Sequence, residues 1–220
     1  REGARLYLSV SGVEPGTLVG AFAYVQHGLK RIEEGLSVVP EVRTTLLKAY
    51  ADQSSADCDP EQVSQYAIAY AHEAPTLFLR ATYYGAGLMK LNAADISAQE
   101  VYEKSLGYDA LFADVRPYTH RGRRKKDKIR IGYISGDFRQ HVMQYFIWPF
   151  LAGYDANAFD VYVYSLGKSD QYTNFFQTLV TKWRDLTSYE QDTVRIAREI
   201  HEDEVDILFD LAGHTAGTGL

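Results

Sequence analysis

The chain has 220 residues, enough for one large domain or two small ones with a buried core. With 46% apolar and 24% charged residues it is composed like a globular protein, which excludes a disordered tail and a fibrous repeat. The 23 Lys and Arg against 29 Asp and Glu give a net charge of −6, so net charge attracts neither nucleic acid nor anionic lipid, and the single cysteine, Cys58, excludes an internal disulfide and a cysteine zinc cluster. One cysteine points to a reducing compartment, and a cytoplasmic protein is expected. No run approaches the roughly 18 to 20 apolar residues that span a bilayer, and no basic segment leads into an apolar one at the N-terminus, so no membrane partner is expected. The first residue is Arg1 and the last, Leu220, follows soon after an expected strand, which reads as a piece of a longer chain.

Thr17 to Leu36 places Leu18, Ala21, Phe22, Val25, Leu29, Ile32 and Leu36 at steps of three and four, the spacing of one face of an amphipathic helix. Pro40 closes the turn, and a second helix is expected from Glu41 through Leu46, Leu47 and Tyr50. Asp59-Pro60, a cap followed by proline at the first helical position, opens a third through Val63, Tyr66, Ala67 and Tyr70. Pro75 opens a fourth through Leu77, Leu79, Tyr83, Tyr84 and Leu88, and Ser97 with Glu100 makes the capping box of a fifth through Val101, Leu106 and Leu111. The first half therefore reads as an array of helices. Gly35-Leu36-x-x-x-Pro40, followed at once by a new helix, resembles the end of a tetratricopeptide repeat; a degenerate repeat and an unrelated helical cap both fit, because no second copy is found.

From Val115 to Lys128 the composition changes. Arg121, Arg123, Arg124, Lys125, Lys126 and Lys128 crowd around one acid, Asp127, and charges so dense are expected to stay solvated as a linker between two packed units. Beyond it the apolar period falls to two: Ile129, Ile131 and Tyr133, then Val161, Val163 and Tyr164, then the apolar run Val205 to Leu211 predict three strands. Helices are expected between them over Tyr145 to Leu151, interrupted by Pro149, over Thr173 to Trp183 through Phe176, Leu179 and Val180, and over Thr193 to His201. Strand alternating with helix predicts a parallel sheet, and open sheets of this kind bind ligands at the C-terminal edge of their strands. The expected organisation is a helical domain over 1–114, a basic linker over 115–127 and a parallel-sheet domain over 128–220.

That edge carries the candidate chemistry. The first strand runs into Ser135-Gly136-Asp137-Phe138-Arg139-Gln140-His141 and the last into Asp210-Leu211-Ala212-Gly213-His214-Thr215, so each puts a histidine just beyond a strand. Gly136 allows a close backbone approach, Asp137 can fix a neighbouring group, and His141 can exchange protons near pH 7. A dinucleotide fold is argued against by the G-x-x-x-G spacing of Gly132 and Gly136, since the fingerprint needs G-x-G-x-x-G after the strand. His141, His201 and His214 have no ligand partner at helical spacing, so no metal is expected, and His201, in His-Glu-Asp-Glu at a helix end, reads as structural.

Three ordered segments carry a resemblance: Ile129-Arg130-Ile131-Gly132-Tyr133-Ile134-Ser135-x-Asp137-Phe138-x-x-His141, then Phe159-Asp160-Val161-x-x-Tyr164-Ser165, then Ile207-Leu208-x-Asp210-Leu211-x-Gly213-His214-Thr215. Together they resemble the N-terminal catalytic half of the O-linked N-acetylglucosamine transferases and their SPINDLY-like relatives. The resemblance covers roughly Glu100 to Leu220, and the earlier helices lie where that family has tetratricopeptide repeats. It implies a GT-B fold of two Rossmann-like halves, of which this chain supplies the first; the second would hold most of the nucleotide-sugar. By the same resemblance His141 is the catalytic histidine that lines the cleft, Asp137, Gly213, His214 and Thr215 bind substrate, and the partners are a UDP-sugar donor and a protein or peptide acceptor, with no cofactor. The sequence departs from the animal enzymes at Trp183, where they place a second cleft histidine.

The function expected is therefore part of an inverting glycosyltransferase that moves N-acetylglucosamine or a related hexose from a UDP-sugar to a protein side chain. The alternative is a non-catalytic helical-repeat binding module with a vestigial α/β domain.

Overall fold

The computed structural model describes residues 21–53, 58–123, 125–189 and 192–215. The chain divides into two compact units, Arg1–Asp114 and Val115–Leu220. The described part of the first is helical: α1 (Ala21–Glu33), α2 (Pro40–Gln53), α3 (Pro60–Glu73), α4 (Leu77–Leu91) and α5 (Ala98–Ala110). The start of the first expected helix, Thr17 to Gly20 with Leu18, lies outside the described residues. Local chemistry sets the helix starts. The Asp59 side chain accepts the Glu61 N–H ahead of Pro60, Thr76 accepts the Leu79 N–H, and Ser97 and Glu100 form the expected reciprocal capping box.

Each helix packs on its sequence neighbour. Val25, Leu29, Val42, Leu46, Tyr50, Val63, Tyr66 and Tyr70 are all buried in one core. Two of the buried tyrosines have their hydroxyls satisfied, Tyr50 donating to Gln62 at 2.6 Å and Tyr66 to Glu33 at 2.8 Å, which offsets the cost of burying those groups.

The second unit is a four-stranded parallel sheet, β1 (Ile129–Ser135), β2 (Phe159–Ser165), β3 (Lys182–Asp185) and β4 (Ile207–Asp210), in the order β3-β2-β1-β4. Helices α6 (Met143–Gly153), α7 (Gln171–Gln177) and α8 (Thr193–Glu202) connect them. Tyr133, Val161 and Val163 meet Ile147, Leu151 and Phe176 of α6 and α7 on one face, while Ile134, Tyr164 and Val205 meet Ile196 of α8 on the other. Helices thus cover both faces, as right-handed crossovers running in opposite directions from β1 require.

Two expected elements need correction. The helix expected over Thr173 to Trp183 ends at Gln177, and Lys182–Asp185 is instead a fourth strand, with Trp183 opposite Val163. The apolar spacing of Phe176, Leu179, Val180 and Trp183 imitates a helix, but pairing with β2 outweighs it, and the short edge strand Lys-Trp-Arg-Asp lacks the alternation that announces strands. Pro149 does not interrupt α6, which runs through it. The carbonyl that its missing N–H would have engaged belongs to Tyr145, an exposed residue that water can reach.

The basic segment is anchored to the α/β unit. Arg123 donates to the Val205 carbonyl at 2.7 Å, Lys126 donates to the Glu204 carbonyl and pairs with Asp206 at 3.0 Å, and Tyr118 stacks on His201 with ring centroids 4.3 Å apart. Carbonyls and carboxylates in the turn before β4 supply the counter-groups that composition alone does not reveal.

Candidate functional site

β1 and β4 are neighbours with Ile134 opposite Asp210, so the segments after Ser135 and after Asp210 leave the sheet at the same level. The chain steps from β1 to β2 to β3 in one direction and then returns to β4 on the other side of β1. The crevice between the ends of β1 and β4 is therefore the point where strand order reverses, the place where open α/β sheets take ligands.

The first loop is tightly built. Ser135 is buried, and its hydroxyl accepts the Asp137 N–H at 3.0 Å. Phe138 is buried against the edge of Trp183, which anchors the loop in the core. The Phe138 carbonyl accepts from the Thr173 hydroxyl at 2.7 Å, and the Gln140 N–H donates to Asp170 at 2.7 Å, both partners lying at the start of α7. Gly167, after β2, approaches so closely that a Cβ there would lie 1.9 Å from the Gly136 carbonyl oxygen. The tight approach that Gly136 suggests is real, but Gly167 makes it possible.

Asp137 and His141 come together at the loop's end. The Asp137 carboxylate lies 3.6 Å from His141 Nδ1 and 3.5 Å from Arg139. The first is longer than a hydrogen bond and is an ion pair only when the imidazole is protonated. The His141 side chain is 39% exposed and Asp137 16%, so the imidazole is open to a ligand and the carboxylate sits behind it. Nδ1 accepts the Met143 N–H at 3.3 Å, so in the neutral ring the proton sits on Nε2, which can donate to a substrate oxygen.

The second loop is held by local bonds. The Leu211 N–H continues the ladder to the Ile134 carbonyl at 3.1 Å, and the Asp210 carboxylate accepts the Gly213 N–H. Gly213 has φ +56°, a left-handed conformation that favours glycine. Thr215 donates to the Ala212 carbonyl through its N–H at 3.1 Å and its hydroxyl at 2.7 Å. His214 is carried on the turn so formed. Beside this crevice, between α6 and β4, lies an apolar cavity of about 160 Å³ lined by Tyr133, Phe146, Ile147, Phe150 and Phe209 among others.

Among the described residues no group of three or more His, Cys, Asp or Glu is placed to hold a metal ion. No described helix is long and apolar enough to cross a membrane. Of the expected site residues, the structure brings Asp137 beside His141 and carries Gly213, His214 and Thr215 on the loop of the adjacent strand. Trp183, the expected departure from the animal enzymes, is part of the packing against Phe138. Asp170 and Thr173 escape the sequence reading. Their only local mark is an Asp-x-x-Thr capping box, and nothing local indicates that it reaches another loop.

Residues 108–219, slightly more than half of the chain, match glycosyl transferase family 41. SPINDLY of Solanum lycopersicum, named a probable UDP-N-acetylglucosamine–peptide N-acetylglucosaminyltransferase, is 42% identical over 95 residues, 41% of this chain and 10% of that protein. The SPINDLY of Arabidopsis thaliana is 42% identical over 97 residues, and the SEC protein of the same plant, with the same enzyme name, 27% over 92 residues. The matched segment is thus about a tenth of the relatives' length. A solved mutant of the O-GlcNAc transferase of Thermobaculum terrenum superposes over 99% of this chain and 47% of its own, with TM-score 0.51 and 19% identity, a likeness of fold.

Proposed function

Because the chain belongs to glycosyl transferase family 41, we propose that it is part of a transferase that moves N-acetylglucosamine, or a related hexose, from a UDP-sugar to a side-chain hydroxyl of a protein or peptide. It supplies the first Rossmann-like half of a GT-B cleft, and the second half holds most of the nucleotide. The observation that carries this reading is the placement of the Asp137–His141 and Gly213–Thr215 loops side by side at the switch point between β1 and β4.

In the reaction the acceptor oxygen attacks the anomeric carbon from the face opposite the diphosphate. The bond from that carbon to the diphosphate oxygen breaks, UDP leaves with the electron pair, and the acceptor proton passes to solvent or a basic group. His141 is the catalytic residue: its Nε2–H binds a sugar or acceptor oxygen and holds it against the anomeric carbon. Proton uptake at Nε2 would require Nδ1 to give up the Met143 N–H and carry a proton toward Asp137 at 3.6 Å, so the bond from Met143 favours binding over base catalysis. Asp137 flanks the ring, ready to pair with it once protonated, while Gly213, His214 and Thr215 meet the substrate from the adjacent strand. No cofactor beyond the UDP-sugar donor, no nucleic acid and no membrane partner is invoked. The single cysteine supports a cytoplasmic setting.

The test is transfer of labelled N-acetylglucosamine from UDP-N-acetylglucosamine to serine- and threonine-containing peptides by the full-length protein that carries this sequence. Labelled peptide with equimolar UDP release is expected. Absence of transfer with every UDP-hexose tried would favour the binding-module alternative.

A further inference from the structure

We propose that Asp170 and Thr173 are positioning residues that clamp the Asp137–His141 loop from the start of α7, a role that rests on reading His141 as the substrate-contacting group. The two residues form a capping box. The Asp170 carboxylate accepts the N–H groups of Tyr172 at 2.8 Å and Thr173 at 3.0 Å, and the Thr173 hydroxyl accepts the Asp170 N–H at 3.0 Å. Those bonds complete the helix start.

Each residue then makes one bond that the helix does not need. The second carboxylate oxygen of Asp170 accepts the Gln140 N–H at 2.7 Å, and the single proton of the Thr173 hydroxyl goes to the Phe138 carbonyl at 2.7 Å. Phe138 and Gln140 flank Arg139, and Gln140 immediately precedes His141. Thr173 is buried, so its bond to Phe138 is shielded from competing water. With backbone groups bonded on both sides of Arg139, rotation of the intervening peptides is restrained, and α7 biases the direction in which the chain delivers His141. Both bonds terminate on one carboxylate–hydroxyl unit whose own geometry is already fixed by the box. Holding a reactive group by bonds from rigid elements is how a site avoids losing rate to small displacements.

Three variants of the full-length transferase test this. Thr173→Val keeps the side-chain shape and removes the hydroxyl; it should lower kcat on the order of 10- to 100-fold with KM for the UDP-sugar unchanged. Thr173→Ser, which restores the hydroxyl, should recover the wild-type rate. His141→Ala is run beside them. A second readout does not depend on activity: amide hydrogen exchange at Gln140 should accelerate in Thr173→Val and in Asp170→Asn.

If His141→Ala retains full transfer, the underlying reading of the site fails, and exchange at Gln140 alone decides the clamp. If His141→Ala abolishes transfer while Thr173→Val keeps both kcat and Gln140 protection, the clamp is wrong. Should Thr173→Val not fold, Asp170→Asn decides by the same exchange measurement, unchanged protection overturning the proposal.

Discussion

At the entry end of the sheet, where the chain comes into β1 and β4, cations and carboxylates pair with one another. Asp203 is buried and receives Lys182, both Nε and a terminal nitrogen of Arg184, and the Tyr164 hydroxyl at 2.9 Å; Arg130 donates to the Asp203 carbonyl at 2.9 Å, and Asp206 takes the Arg130 N–H at 2.8 Å together with Lys126. At the exit end, Asp137 and His141 stand 3.6 Å apart with the imidazole half-open, and the loops are held through backbone groups. The difference separates two uses of polar residues in one sheet. Charges bonded to each other fix the strands, whereas side chains left accessible on a backbone-clamped loop can meet a substrate.

The largest effect should come from breaking the entry end. Asp203→Ala leaves the Lys182 and Arg184 cations and the Tyr164 hydroxyl without their shared acceptor, and unfolding in urea should show a loss of about 3–5 kcal/mol. A change under 1 kcal/mol would mean that the network is not what holds this end together. Next is Gly167→Ala, whose Cβ would collide with the Gly136 carbonyl: a loss of about 1–3 kcal/mol is expected, with faster amide exchange in residues 136–141. Unaltered exchange there would show that the two loops are not coupled through this contact.

The third prediction concerns acid. Burial alone would raise the Asp203 carboxyl, but bonds from Arg184, Lys182 and Tyr164 outweigh it and hold the group below the usual carboxylate range; the Arg130 N–H and Lys126 do the same for Asp206. Both folded-state values lie below the unfolded one, so the stabilisation is complete above about pH 4 and is lost as pH falls through the folded values. Melting temperature should therefore be level above that point and drop below it, and Asp203→Asn should flatten the drop. An acid limb equally steep in the variant would assign it to other groups.

Much of this architecture is legible in the sequence because its signals are local. Asp59-Pro60 and Ser97 with Glu100 start helices through bonds spanning two or three residues, and the apolar runs in Ile129–Ser135 and Phe159–Ser165 mark strands that become buried on both faces towards their C-terminal ends. What escapes is set by partners distant in the chain. β3 exists because β2 offers it a ladder, Lys126 is anchored by Asp206, 80 residues away, and Thr173 meets Phe138, 35 residues away. At the site, the loops after β1 and β4 are recognisable from their motifs, while the elements that hold the first of them are not.

The most direct test of the account compares activity and stability of His141→Ala in the full-length protein, from one preparation. His141 is partly exposed, lies beyond hydrogen-bond distance of Asp137, gives up only the long 3.3 Å bond from the Met143 N–H when truncated, and leaves the backbone clamp of its loop intact. Sugar transfer should fall on the order of 100-fold or more, while unfolding free energy stays within about 0.5 kcal/mol of the parent. Undiminished transfer by the folded variant would contradict the assignment of this crevice as the catalytic site.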